Sequence, residues 1–427
     1  LKRLLFWSVR APFEVDKPQE AFALTGCMCH STESLFNFKE TSMVRASDDF
    51  YPRDAASQTV HLASCAYNGL MLGEIANVDW DMFHSKHPRA AMHAAARAVS
   101  GGAIYVSDAP GEHDPELLRR LVLPGGATLR AALPGRPTVD CLFRDVMRDG
   151  VTALKVWTRN PNGGGVVGVF NTQGAYWSRD RRKYMERDGP RPTVKAHVRP
   201  LLVPDFAPVA STLLSGMLSQ EQAGARSPMA VAGEVVRFLR DEAQAVARGL
   251  LPSKLREHLE WKRHTKNKGN PAWLRGGTEQ AYIAWSAHER RLTFLNSRID
   301  SVRVQLAPYD WDVISLQRVE TARLGHRVVK WAPIGLLNML NAGGGVGYMS
   351  QNLWPLRQRL RRRLAAAFNA RGSGEFGMYA SARPRQILVD GISGAFSYDA
   401  KERIVRFQIP TRSTQGALQS TRVVLRW

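Results

Sequence analysis

Cysteine is scarce: Cys27, Cys29, Cys65 and Cys141 are the four in a chain of 427 residues. That excludes a disulfide scaffold at this length. Cys27 and Cys29 stand C-x-C beside His30, but no second pair follows at zinc-ligand spacing, so the thiols read as reduced and mostly buried and no metal is expected. Long apolar runs are missing too. Nothing approaches the roughly 18 consecutive apolar residues of a membrane-spanning helix, so no membrane partner is expected. Acidic residues are outnumbered, 38 Asp and Glu against 59 Lys and Arg, for a net charge of +21. The excess sits in 178–199, 237–268 and Arg357–Arg363, which lack interleaved aromatics and show neither helix-turn-helix nor zinc-finger spacing. They read as solvated loops and insertions, and no specific nucleic-acid partner is expected. Gly163–Gly165 and Gly343–Gly345 lack the Gly-Lys-Ser/Thr ending of a phosphate loop and read as hairpin turns. Leu1–Arg10 has no signal-peptide pattern, and there is no internal repeat.

What remains is an ordinary globular composition, 44% hydrophobic and 23% charged, with length enough for two or three domains. Residues 24–140 alternate short β-prone runs with helical periodicity. Ala23–Cys29 and Val44–Ala46 read as strands. His61–Leu72, with Leu62, Cys65, Ala66 and Gly69 on one face, reads as a helix. Pro88–Ser100 is an alanine-rich helix, Ala103–Val106 a buried strand, and Asp114–Leu123 a helix opened by Asp and Pro. This rhythm implies a parallel α/β arrangement. Beyond residue 140 the runs are β-like and separated by turns: Ala153–Trp157, Val166–Phe170, Ala281–Trp285, Val302–Leu306, Val313–Leu316, Arg385–Val389 and Val405–Ile409. The expected layout is an unassigned segment over 1–23, an α/β region over 24–140 and an antiparallel β domain over 141–427. Two insertions interrupt the last, 205–278 with helical stretches such as Val231–Leu251, and a basic, helix-like 349–371.

Three acidic tips close β-prone runs in the α/β region: Asp48-Asp49, the pair Asp79 and Asp81, and Asp108. Carboxylates gathered at one end of a parallel sheet suit the cleavage of a glycosidic bond. The motifs carrying them are Arg45-Ala-Ser-Asp-Asp-Phe-Tyr-Pro-Arg-Asp54, Asp79-Trp-Asp-Met-Phe-His-Ser85, Ser100-Gly-Gly-Ala-Ile-Tyr-Val-Ser-Asp108 and Leu133-Pro-Gly-Arg-Pro-Thr138. With Gly168-Val-Phe-Asn-Thr-Gln-Gly174 and Trp331–Asn341, they resemble the raffinose synthase and seed imbibition protein group of glycoside hydrolase family 36, which includes alkaline α-galactosidases. The resemblance covers 24–180 closely and 279–348 and 372–410 more loosely.

The resemblance implies a (β/α)8 barrel with its site at the C-terminal strand ends, here its C-terminal half, followed by a β-sandwich-like domain. It implies a retaining mechanism on two carboxylates and no cofactor. Asp49, closing Arg-x-x-x-Asp, matches the acid/base, with Asp48 as the fallback. Arg45, Trp80, Asp81, Met82 and Asp108 are candidate substrate contacts: Arg45 as donor to hydroxyls or orienter of a carboxylate, Asp81 as hydroxyl acceptor, Trp80 as a stacking face or a buried core residue. Asp108 either reaches the acceptor or caps a loop. No Lys-Val-Asp-Val-type nucleophile motif is found in this chain. The implied function is α-galactosyl transfer from galactinol to sucrose; hydrolysis of α-galactosides and an inactive truncated paralogue are the alternatives. Expected partners are small carbohydrates (galactinol, sucrose, raffinose-type sugars), and the expected compartment is cytoplasm or plastid.

Overall fold

The computed structural model describes residues 8–9, 23–28, 32–37, 41–204, 280–324, 326–347, 365–412 and 419–427. The helix expected at Val231–Leu251 and the Arg357–Arg363 run lie outside the described residues. Strands and helices alternate first. β1 (Ser8–Val9) and β2 (Ala23–Gly26) are antiparallel; α1 (Thr32–Phe36), β3 (Thr41–Arg45), α2 (Ser57–Leu72), β4 (Asn77–Asp79) and α3 (Ala90–Ser100) follow. β2, β3 and β4 are parallel neighbours, with Val44 of β3 paired to Gly26 on one side and Val78 on the other. Parallel pairing needs a crossover, and α2 supplies it between β3 and β4.

Helix α2 begins where Asp54 Oδ1 accepts the amides of Ala56 and Ser57 at 3.0 and 3.3 Å. It buries Leu62, Cys65, Ala66 and Gly69, the apolar stripe its spacing predicts. α3 buries Ala94, Ala95 and Ala96 completely, side chains small enough to let the helix sit close to its neighbours. It ends at Gly101, φ 74°, in left-handed backbone. A Cβ on Gly102 would stand 2.1 Å from the Val78 carbonyl oxygen, so a side chain there would collide with β4. Ala103–Val106 departs from its expected role as a buried strand. It makes one parallel bridge, Val106 to Phe83, and stays partly exposed because no further pairing follows. α4 (Pro115–Leu118) is short, and Asp114 caps it by accepting the Glu116 and Leu117 amides.

The rest is antiparallel. A six-stranded sheet has the order β12-β11-β14-β7-β6-β5. In chain order its strands are β5 (Arg136–Pro137), β6 (Leu154–Arg159), β7 (Gly165–Phe170), β11 (Tyr282–Ser286), β12 (Arg291–Leu295) and β14 (Trp311–Arg318). β8 (Ala175–Ser178) and β9 (Lys183–Glu186) form a hairpin, and β10 (Val194–Val198) pairs with β13 (Val302–Leu306). The basic stretch 178–199, expected to be a loop, therefore holds two strands; in β10 buried Val194, Ala196 and Val198 alternate with exposed Lys195 and His197. Every residue of β7 is buried because both sheet faces are covered. One face meets α3, so that Trp80 and Val99 share a core with Val156, Val166 and Val313; the other meets β10 and β13 through Val167, Val169 and Val304. The first of these cores runs through the boundary expected at residue 140.

Two more sheets enclose a separate core. One has the order β15-β16-β18-β22-β21, with β15 (Glu320–Leu324), β16 (Arg327–Leu336), β18 (Gly374–Ala380), β21 (Phe396–Asp399) and β22 (Ile404–Ile409). The other is β17-β23-β19-β20, with β17 (Ala365–Arg371), β19 (Gln386–Val389), β20 (Ile392–Gly394) and β23 (Ser420–Arg426). Phe368 stacks on Phe376, and Phe407 lies tilted against Phe376, each pair with ring centroids 5.4 Å apart. The expected helix-like insertion over 349–371 is corrected here: 365–371 is β17, seven residues in register with β23. Its alternating buried Ala366, Phe368 and Ala370 are a strand pattern that the preceding arginines disguised. Gly343–Gly345 is likewise no hairpin but a buried 3-10 turn over Ala342–Gly345, whereas Gly163 does sit in the β6–β7 turn. Among the described residues no helix is long and apolar enough to cross a membrane.

Candidate active site

The site forms where β3 and β4 end. Arg45, the last residue of β3, is 8% exposed. Its Nη2 lies 3.0 Å from Asp49 Oδ1 and 2.5 Å from Asp81 Oδ2, and its Nε 4.0 Å from Asp79 Oδ2. Burial is the largest influence on the Arg45 charge and works against it, but Asp81, Tyr105 and Asp79 together outweigh it and raise the pKa. Asp81 adopts φ 65°, left-handed backbone that aspartate tolerates better than most residues. That turn lets Asp81 Oδ2 accept the Phe50 amide at 2.7 Å, tying the loop after β4 to the loop that bears Asp49. Asp79 Oδ1 accepts the Asp81 amide at 2.9 Å and Oδ2 the Tyr105 hydroxyl at 2.8 Å. Burial pushes the Asp79 carboxyl above the usual range and the Tyr105 hydroxyl up as well.

Asp49 is the accessible acid of the group. Its side chain is 54% exposed while those of Asp79 and Asp81 are 1% and 3% exposed. The structure thus brings Arg45, Asp49, Asp79 and Asp81 together and adds Tyr105. Asp48 turns away from them and accepts the Tyr184 hydroxyl at 2.8 Å. Met82 is half-buried against the core, and its carbonyl accepts from Arg97.

Two open alternatives are decided, against the substrate contacts offered for Trp80 and Asp108. Trp80 is fully buried, so no sugar can stack on it; side chains alternate along the strand end, and Asp79 and Asp81 take the other direction. Asp108 does not reach toward an acceptor. Its carboxylate is 2% exposed and accepts from the Ser85 amide at 2.7 Å, the Ser85 hydroxyl at 2.6 Å and His113 Nδ1 at 3.1 Å. Burial alone would raise its pKa, but the hydrogen bonds from Ser85 and His113 hold it below the usual carboxylate range.

Beneath the carboxylates lies a buried polar layer that sequence reasoning passed over. Arg97 on α3 is 1% exposed and donates to the carbonyls of Trp80, Asp81 and Met82 at 2.8, 3.2 and 2.9 Å. Its Nη1 lies 2.9 Å from His93 Nδ1, and His93 Nε2 lies 2.7 Å from Gln58 Oε1. His61 links Ser47 Oγ to the Trp80 carbonyl at 3.0 Å each. Burial pushes His61 down to about 3 and His93 well below its ordinary value, so both are neutral at neutral pH. The one available clue was an arginine and a histidine four apart in an alanine helix, which places two polar groups on one turn-spaced edge.

The family profile described as raffinose synthase or seed imbibition protein Sip1 matches residues 14–210 and 258–409. The chain belongs to that family. The match runs straight through 349–371, in line with β17, and of the two expected insertions it skips 211–257. Probable galactinol–sucrose galactosyltransferase 1 of Arabidopsis thaliana is 37% identical over 387 residues, 90% of this chain and 41% of that protein. Probable galactinol–sucrose galactosyltransferase 6 of the same plant is 35% identical over 383 residues, again 90% and 41%. A galactinol–sucrose galactosyltransferase of Oryza sativa subsp. japonica is 33% identical over 385 residues, 88% and 39%. The chain spans about two fifths of the length of these curated relatives.

Proposed function

We propose that this chain carries the acid/base portion of a retaining α-galactosyltransferase that moves galactose from galactinol to sucrose. The observation that carries the reading is the Arg45 fork, which fixes a half-exposed Asp49 against two buried carboxylates in a protein of the raffinose synthase family. In the first step a carboxylate attacks the anomeric carbon of galactinol, and the bond from that carbon to the inositol oxygen breaks. Asp49 gives its proton to that oxygen and myo-inositol leaves. In the second step Asp49 takes a proton from a sucrose hydroxyl; its oxygen forms the new bond to the anomeric carbon as the attacking carboxylate departs. The attacking carboxylate is assigned to no residue of this sequence.

Arg45 and Asp81 act by position: the fork holds Asp49 at a set distance from the strand ends, and Asp81 pins the Phe50 amide. The parallel strands β2, β3 and β4 with α2 and α3 support a (β/α)8 barrel as the surrounding fold. The native protein carrying this sequence, supplied with galactinol and sucrose, should form raffinose and myo-inositol, and D49N should lower that rate by about 100- to 10,000-fold. Free galactose as the main product would assign hydrolysis instead, and normal turnover by D49N would remove Asp49 from the mechanism.

A further inference from the structure

Beside Asp49 opens a groove of about 750 Å³ that none of the carboxylates of the Arg45 cluster lines. One wall is the loop on either side of Asp49, with Asp48, Tyr51 and Arg53; the other is the β8–β9 hairpin, with Trp177, Lys183 and Tyr184. The hairpin is built onto the site. Ala175 packs fully buried against Ala56 and Val60 at the start of α2, the helix that the Asp49 loop leads into. Trp177 pairs across the strands with Tyr184. Their rings meet edge-on at 5.1 Å, and Tyr184 in turn lies 6.3 Å from Tyr51. The Tyr184 hydroxyl donates to Asp48 at 2.8 Å, locking hairpin to loop.

Two of these aromatics remain uncovered: Trp177 is 47% and Tyr51 43% exposed. Large aromatics flanked by carboxylates, guanidiniums and an ammonium are what a sugar ring requires, an apolar face to lie on and charged partners for its hydroxyls. The charges are mixed, Arg53, Arg182 and Lys183 against Asp48 and Asp54, which suits a ligand with many hydroxyls rather than one dominant charge, and the volume falls within the roughly 300–1,000 Å³ of small-molecule sites. We propose that this groove binds the acceptor, a neutral disaccharide or larger oligosaccharide, with Trp177 and Tyr51 as its stacking faces. Asp48, expected as the fallback acid, then serves as a hydroxyl acceptor held by Tyr184. This rests on the galactosyl-transfer reading, since the groove is lined by Asp48 and Tyr51, which flank Asp49 in the chain.

Two measurements separate the claims. The first is binding of sucrose and raffinose to the unmodified protein and to W177A, read by saturation-transfer NMR, which needs no turnover. Sucrose contact in the wild type and a roughly three- to tenfold weaker affinity in W177A are expected, with W177F restoring most of it. Unchanged affinity in W177A, or no contact in the wild type, overturns the proposal whatever the enzyme does. The second is the kinetic split: W177A should raise KM for sucrose by the same factor while leaving galactinol hydrolysis without acceptor unchanged. Equal losses in both reactions would mean that Trp177 is merely structural and would likewise overturn the proposal. Sucrose binding that depends on Trp177, in a protein showing no galactosyl transfer, would sink the activity and leave the sugar site standing. Should W177A not fold, Y51A takes its place in both measurements with the same expectations.

Discussion

Lowering the pH should destabilise this protein through His61. His61 is fully enclosed between Ser47, Cys65, the Trp80 carbonyl and Arg97, with His93 6.2 Å away ring to ring. Burial first, then the Arg97 charge, depress its pKa from 6.5 to about 3. A base whose pKa is depressed in the folded state takes up a proton more readily when unfolded, so stability is fully present above about pH 6.5 and declines as the pH falls below it. From pH 7 to pH 5 this one residue should cost about 2 kcal/mol, one and a half pH units below the unfolded value at about 1.36 kcal/mol each. His93, depressed for the same reason, adds to the loss. Asp79 and Asp312, both raised by burial, act with the opposite sign, but their windows open upward from 3.8. Urea denaturation followed by circular dichroism at pH 7, 6 and 5 reads the slope, and H61Q should flatten it by the stated amount. A midpoint that does not move between pH 7 and 5, or an H61Q slope equal to the wild-type slope, would show that His61 is not held neutral in the fold.

Arg97→Met should lower stability by about 3 kcal/mol, since it leaves the Asp81 and Met82 carbonyls without a donor and the Trp80 carbonyl with His61 alone while removing a buried charge; a melting temperature equal to the wild type would refute that. Gly102→Ala should cost about 3 kcal/mol because its Cβ meets the Val78 carbonyl of β4 rather than a yielding side chain, and an unaffected melting curve would refute the close approach. Asp108→Asn should leave the acceptor KM unchanged while loosening the Ser85 loop, seen as faster amide exchange at Ser85; a raised acceptor KM with unchanged exchange would return Asp108 to the substrate.

Much of the fold was legible because local periodicity carries it. Leu62, Cys65, Ala66 and Gly69 announce α2, and alternation announces β13, whereas β10 alternates equally well but was hidden by the basic run around it. The failures have a common cause. Ala103–Val106 is apolar enough for a strand but finds one pairing partner, and 365–371 alternates like a strand but follows a basic run that reads as a surface insert. Periodicity reports which faces are apolar, not what lies across from them.

By itself the sequence determined the family, the three acidic tips, and the spacing that sets Arg45 four residues before Asp49. These are properties of short segments, recorded where the residues stand. Only the tertiary structure decided which acids meet and which face outward. Asp79 and Asp81 meet one arginine at the end of β3, with Asp81 in left-handed backbone, while Trp80 between them is sealed in the core. Arg97 and His61 lie seventeen and nineteen residues from Trp80, and Tyr184 lies 136 from Asp48. Contacts between segments so far apart depend on how helices and hairpins pack, and no pattern within one segment encodes them.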